Sequence, residues 1–221
     1  MWAIPHATRP PGSRLATSAM NIRAVLGAVL VGGESKRFGY DKAAALFRGQ
    51  TLLDHQLATL HDATVSQLAY VGGTSRTAVA HGAVHVPDAV GGRVAVGPER
   101  SALLGVLSAL MHAESAGCDG AVIIACDVPL LTPATISSLC DALDSAEIAV
   151  ASAERSHWTI IAARTSTRPL LEHQYETGVR ALHEALAHCK VQLVPVAEHE
   201  LVNANDQKTL QAIADSPSAH G

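Results

Sequence analysis

Hydrophobic and polar positions along this chain alternate between two periods. Ala24 to Val31 is an almost unbroken apolar run rich in Val and Leu, as in a strand buried on both faces. Leu52, Leu53, Leu57 and Leu60 recur at near-helical spacing, and Leu68 to Val71 is a short apolar run ending in Gly72-Gly73. Thr74 is then expected to start a second helical stretch. Ala83 to Val86 reads as a strand stopped by Pro87-Asp88, and Leu103, Leu104, Leu107 and Met111 mark an amphipathic helix over 101–116. Ala121 to Ala125 is the strongest buried-strand signal. Thr132 and Pro133 suit the N-cap and first position of another helix. His157 to Ala162 reads as a strand, 177–182 as a glycine turn opening a helix, and 207–214 as the last helix. Alternating strands and helices with short connections predict an α/β protein with a mostly parallel sheet covered on both faces.

The ends frame a single domain. Residues 1–20 hold three prolines among scattered Ser, Thr and Arg, a composition that builds no packed element, so a disordered tail is expected there. Met20 precedes the first strand, and one domain is expected over 21–216 without internal repeat or linker. The apolar run after Arg23 leads into Gly-Gly and charges, not into a small-residue cleavage site, which argues against a signal peptide. No stretch approaches the ~18 apolar residues of a membrane span.

Composition removes other options. The 221 residues are 48% hydrophobic and 16% charged, ordinary for a globular chain with an ample core. A net charge of −4 and 3% aromatics give no reason to expect nucleic acid or a membrane surface as partner. The four cysteines show no zinc spacing and, without an export signal, read as reduced thiols of a cytoplasmic protein. The twelve histidines include no HExxH, and His81/His85 and His183/His188 do not share a helix face.

Two stretches carry candidate chemistry. The first follows the 24–31 strand: Gly32-Gly33, then Lys36, Arg37, Gly39 and Asp41-Lys42. Glycines let a ligand approach main-chain N–H groups, successive N–H groups form an anion-binding concavity, and Arg37 and Lys42 add positive charge. By itself this is either a phosphate cradle or a tight strand-to-helix turn with solvated charges. The second is Asp127, in Cys126-Asp127-Val128-Pro129 after the 121–125 strand. A carboxylate there lies at the edge where doubly wound sheets bind ligands, and suits Mg²⁺ held with substrate phosphates. It equally suits a cap on the turn before Pro129.

The spacing Gly-Gly-x-Ser-x-Arg-x-Gly-x-Asp-Lys resembles the signature loop of nucleotidyltransferases that activate sugars and cofactors. It is most similar to that of the molybdenum cofactor guanylyltransferases, with Val31 in place of Ala and Phe38 in place of Met. The Cys-Asp-x-Pro after a strand matches the same family, as does Asn203-Ala204-Asn205 before the last helix. The resemblance covers most of 23–214. It implies a Rossmann-like three-layer α/β/α fold, with a nucleotide part over about 21–145 and an acceptor part over about 146–216.

The implied reaction joins GMP from GTP to molybdopterin with release of pyrophosphate, using Mg²⁺ on Asp127. Arg37, Lys42 and Asp127 are the implied catalytic residues. Val31, Gly32, Gly33, Glu34, Ser35, Lys42, Asp88, Gly105 and Asp127 would meet the nucleotide, and Arg180, Asn203 and Asn205 the acceptor. A monomer or weak homo-oligomer is expected, with transient contact to other cofactor-biosynthesis proteins. The chain departs from the family at Glu99-Arg100-Ser101, between Gly97-Pro98 and the segment ending in Gly105, and at Trp158 where a Pro-Leu pair is usual. CTP, another phosphorylated acceptor, or a homologue that binds nucleotide without turnover therefore stand as alternatives.

Overall fold

The computed structural model describes residues 24–32, 41–90, 93–94 and 101–216. The expected tail over 1–20 lies outside them.

Seven strands make the central sheet: β1 Val25–Leu30, β2 Gln67–Val71, β3 Val84–Val86, β4 Gly120–Ala125, β5 Ile148–Ser152, β6 Ser156–Arg164 and β7 Val191–Pro195. Their order is β7-β5-β6-β4-β1-β2-β3. Every neighbouring pair is parallel except those of β6, which runs antiparallel between β4 and β5. The sheet is thus mostly parallel, as the alternating pattern predicts.

Among the described residues six helices cover it: α1 Leu52–Asp62, α2 Ala102–Ser115, α3 Pro133–Ala142, α4 Arg168–Glu176, α5 Leu182–Leu186 and α6 Gln207–Asp215. The period of two along each strand sorts side chains between two cores. Val29, Val122 and Ile124 face Leu53, Leu57 and Leu60 of α1 with α3 and α6 beside them, whereas Leu26, Ala28 and Ile123 face α2, α4 and α5. Three layers result. Each fully buried Leu of α1 contributes about 1.5–3 kcal/mol. At Gly27 the α1 side closes down on the backbone: a Cβ there would meet Val65 Cγ2 at 2.8 Å and Leu60 Cβ at 3.2 Å.

Local signals explain several boundaries. Thr51 caps α1 by accepting from the Asp54 N–H, Ser101 caps α2 from the Leu104 N–H, and Thr132 caps α3 with Pro133 in its first turn. The helix expected from Thr74 does not form. Side chains claim its backbone donors instead, with Tyr70 Oη accepting from the Arg76 N–H and Asp54 Oδ1 from the Ala80 N–H. Only a 3₁₀ turn over Ala80–Gly82 follows, broken by His81 and Gly82 at φ of 57° and 67°.

No described helix is long and apolar enough to cross a membrane. All four cysteines are free thiols.

Candidate functional site

Parallel strands that share a direction bring their C-terminal ends to one edge, and there the chain gathers its chemistry. β1 leads to Val31-Gly32, β2 to Gly72-Gly73, β3 to Pro87-Asp88 and β4 to Cys126-Asp127. The ladder continues past the strand ends: the Val31 N–H donates to Val71 O (2.8 Å), Gly72 N–H to Val86 O (2.9 Å) and Cys126 N–H to Leu30 O (3.2 Å). Those bonds fix four turns in register before any ligand arrives.

Asp127 stands at the middle of this edge. Lys42 reaches it from the start of a 3₁₀ turn over Lys42–Ala44, its Nζ donating to Asp127 Oδ2 at 2.8 Å. The two side chains are 17% and 24% exposed, so the pair is largely withdrawn from water. Asp41 holds the turn by accepting from the Ala43 N–H (3.0 Å), and Arg76 pairs with the Asp41 carboxylate. Behind Asp127, α1 grips the next two carbonyls: Gln56 Nε2 donates to Val128 O (2.6 Å) and His55 Nε2 donates to Pro129 O (2.7 Å). With Nε2 donating, His55 Nδ1 is left to accept from Gln50 Nε2 at 2.9 Å, which requires the neutral ring. Burial lowers the His55 pKa in the same sense, and nearby Arg48 adds to the shift against the rise from the Pro129 bond. Burial, then the Asp127 charge, pushes the Cys126 thiol up to about 12, so it stays protonated and is no nucleophile.

Asp88 occupies the flank formed by β1, β2 and β3. It is buried, and its carboxylate lies over Gly72: a Cβ on Gly72 would sit 2.9 Å from Asp88 Oδ2 and 3.0 Å from Val31 O. Gly72 also holds φ at +82°, so both space and backbone demand glycine. Gly32 and Gly105 border the same carboxylate at about 4 Å from their built Cβ positions. Ser108 fastens the neighbouring backbone to α2, accepting from the Ala89 N–H (3.0 Å) while donating to Leu104 O (2.9 Å).

The opposite flank belongs to β5, β6 and β7. The Ala204 N–H donates to Asp127 O at 2.8 Å, so the segment bearing Asn203 and Asn205 is tied to the tip of β4. Ala204 is buried between the two amides, and both line a cleft of about 540 Å³ with Glu154, Arg155, His157 and Glu198. Burial, then the Arg155 charge, lowers the His157 pKa. A buried carboxylate supports this wall. Glu200 Oε2 accepts from Thr132 N (3.0 Å), Thr132 Oγ1 (2.8 Å) and Thr135 Oγ1 (2.7 Å) at the start of α3. Asp206 caps α6 by accepting from the Thr209 N–H at 2.7 Å, and that bond lowers its pKa.

Of the residues singled out in the sequence, Val31, Gly32, Lys42, Asp88, Gly105, Asp127, Asn203 and Asn205 converge on this edge. Arg180 stands apart: its guanidinium lies 4.0 Å over the Tyr175 ring and donates to Tyr175 O (2.6 Å) and Val179 O (2.9 Å), outside the cleft lining. Gly33, Glu34, Ser35 and Arg37 lie outside the described residues. Gly72, Arg76, Arg155 and Glu200 belong to the same edge and are not among the residues singled out in the sequence. A second Gly-Gly pair directly after a strand was the available signal for Gly72; Glu200 carried none.

Among the described residues no three His, Cys, Asp or Glu side chains cluster as a ready-made cation cage. The donor set instead suits a hard cation that takes one or two carboxylates and completes its shell with water and substrate phosphates.

A family model described as the MobA-like NTP transferase domain matches residues 27–193. A curated relative from Opitutus terrae, named "Probable molybdenum cofactor guanylyltransferase", is 34% identical over 54% of this chain and 55% of its own length. The chain thus spans about half of that relative. The molybdenum cofactor guanylyltransferase of Rhizobium leguminosarum is 32% identical, over 60% of each chain. In fold, the chain is similar to molybdopterin-guanine dinucleotide biosynthesis protein A from Archaeoglobus fulgidus, at a TM-score of 0.67 and 20% identity over 86% of this chain and 97% of that one.

Proposed function

The chain belongs to the MobA-like NTP transferase family, and from that premise we propose that it transfers GMP from GTP to molybdopterin, releasing pyrophosphate. The observation that carries this reading is the Lys42–Asp127 pair at the centre of the strand-end edge, with the Asp88 flank on one side and the Asn203/Asn205 cleft on the other. Two substrates approaching from opposite flanks would meet at Asp127.

In this reaction an oxygen of the acceptor phosphate forms a bond to the α-phosphorus of GTP. The bond from that phosphorus to pyrophosphate breaks, and the leaving group carries the electron pair away. A phosphate oxygen is already anionic at neutral pH, so no general base is assigned. Positioning and charge neutralisation dominate such chemistry. Lys42 and Arg37 are assigned to the phosphates, and Val31, Gly32, Gly33, Glu34, Ser35, Asp88 and Gly105 to the nucleotide. Asn203 and Asn205 hold the acceptor, whereas Arg180, engaged with Tyr175 away from the cleft, is given no role in it. Asp127 would hold Mg²⁺, which when bound neutralises charge on the nucleotide phosphates. The nucleotide part is assigned to about 21–145, the acceptor part to about 146–216, and the reaction to the cytoplasm.

The test is nucleotide binding by the purified protein with Mg²⁺, comparing GTP, CTP, ATP and UTP, followed by pyrophosphate release with molybdopterin. Selective binding of GTP and release that depends on the acceptor are expected. A preference for CTP would reassign the base, and binding without turnover would leave a nucleotide-binding protein in place of an enzyme.

A further inference from the structure

Both ends of the glycine-rich stretch rest on one short segment, Gly72 to Arg76, which follows β2. At the entrance the Val31 N–H donates to Val71 O (2.8 Å), and Gly73 lies against the same backbone: a Cβ there would sit 2.9 Å from Val31 O. Gly32 comes next, its own built Cβ 4.0 Å from the Gly73 nitrogen. At the exit, Arg76 pairs through Nη2 with Oδ2 of Asp41. Asp41 Oδ1 accepts from the Ala43 N–H at 3.0 Å and so caps the turn that carries Lys42. The segment is itself held from the sheet. Tyr70 and His85 are register partners on β2 and β3, with rings stacked at 4.9 Å. Tyr70 Oη accepts from the Arg76 N–H (2.9 Å), and His85 Nε2 donates to Gly72 O (3.1 Å).

Taking the transfer reaction proposed above as its basis, we infer that Arg76 is a positioning residue for Lys42 and acts through Asp41. The Gly72–Arg76 segment thereby fixes the gap between the two ends of the stretch assigned to the phosphates. The physical reason is charge. Asp41 and Lys42 are neighbours in sequence, and a carboxylate left loose beside the ammonium would compete with Asp127 for it and repel phosphate. Arg76 engages one oxygen of that carboxylate, and the cap on the Ala43 N–H engages the other. Lys42 is then directed to Asp127, where Nζ donates to Oδ2 at 2.8 Å.

Stability alone does not account for Arg76. Asp41 is 52% exposed, and an ion pair that open to water returns little. Arg76 Nε meanwhile is buried without an acceptor among the described residues. A donor stripped of water and left unpaired costs more than such a pair returns. A side chain kept at a net cost, with its outer nitrogen on the residue beside Lys42, is placed for the site.

The experiment uses the full chain. Acetic anhydride labelling, resolved residue by residue with mass spectrometry, reads the placement of Lys42 without any ligand, with Lys190 and Lys208 as internal references. Calorimetry with GTP and Mg²⁺ reads the site. In Arg76→Gln, Lys42 is expected to label at least about twofold faster, as for a turn that opens more often. GTP should weaken by about five- to tenfold, short of the loss in Lys42→Ala, because a misplaced ammonium keeps part of its effect. The unfolding midpoint should not fall. Arg76→Lys, which keeps the charge, should restore part of both. In a Lys42→Ala background Arg76→Gln should cost no further GTP affinity, since the group it acts through is gone. Unchanged Lys42 labelling would overturn the inference. So would losses that add in the double variant, which would put Arg76 on the phosphates in its own right, or a midpoint that falls in step with GTP affinity. Wild type that binds no nucleotide, while Lys42 labelling still answers to Arg76, would instead sink GMP transfer and leave the positioning role standing.

Discussion

The Lys42 ammonium lies 2.8 Å from Asp127 Oδ2, joining the turn after the glycine loop to the tip of the central strand. Each group holds the other in place while both remain partly shielded from water, so removing either breaks a largely withdrawn ion pair. Asp127→Asn keeps the shape and removes the charge. It is expected to lower turnover by on the order of 10²–10³-fold, in the range for removal of one preorganised transition-state contact. Steady-state pyrophosphate release, with circular dichroism confirming the fold, checks it. Lys42→Ala is expected to weaken GTP by about 1.5–3 kcal/mol, read by calorimetry.

Gly72→Ala meets two obstacles at once. The backbone sits at φ +82°, and the new methyl would lie 2.9 Å from Asp88 Oδ2 and 3.0 Å from Val31 O. A left-handed conformation alone costs an L-residue about 1–2 kcal/mol. Urea unfolding is expected to show at least that loss. Displacement of Asp88 should weaken the nucleotide as well, whereas Gly82→Ala, open to solvent at φ +67°, should cost stability without touching the ligand.

His55 makes stability depend on acidity. Its pKa in the fold is lowered from 6.5, chiefly by burial, so below that pH the unfolded chain takes up a proton that the folded chain resists. The contribution is complete above about pH 6.5 and is lost as pH falls toward the folded value, at no more than about 1.4 kcal/mol per pH unit. Urea midpoints between pH 8 and 5.5 are expected to drop more for wild type than for His55→Gln, whose amide does not titrate. Equal drops would place the acid sensitivity elsewhere.

On the proposed assignment of the cleft to the acceptor, Glu200 is a positioning residue for its wall. Three donors from Thr132 and Thr135 converge on one of its oxygens. Glu200→Leu removes their shared acceptor, leaving the Thr132 hydroxyl only Thr135 Oγ1 at 3.2 Å, and is expected to cost about 1–3 kcal/mol. The milder Glu200→Gln should raise the KM for acceptor more than it lowers kcat and leave GTP affinity alone. A uniform loss of all three would mean the residue serves stability only.

Short-range signals read well from the sequence. The runs 24–31 and 121–125 are β1 and β4, and Thr132 and Pro133 open α3 as their chemistry dictates. Asp127 is legible as a carboxylate at a strand end, whereas Asn203 and Asn205 are singled out by the family resemblance and carry no local signal of their own. What escaped depends on distant neighbours. Nothing in the composition of β6 tells its direction, which is set by insertion between β4 and β5. The helix expected from Thr74 gave way to side chains of Tyr70 and Asp54, which no periodicity in 74–83 reveals. Arg155 and Glu198 are ordinary charges in sequence and become one cleft only when β5 and β7 pair.

The bond from the Ala204 N–H to Asp127 O links the middle of the chain to its far end. A ribosome releases the strand bearing Asp127 long before the residues that complete its surroundings. The contacts that close this site are non-local, the kind that form slowly because the intervening chain must first be ordered. Assembly of this wall of the cleft is therefore expected late in folding, and hydrogen exchange of the Ala204 amide would report when it forms.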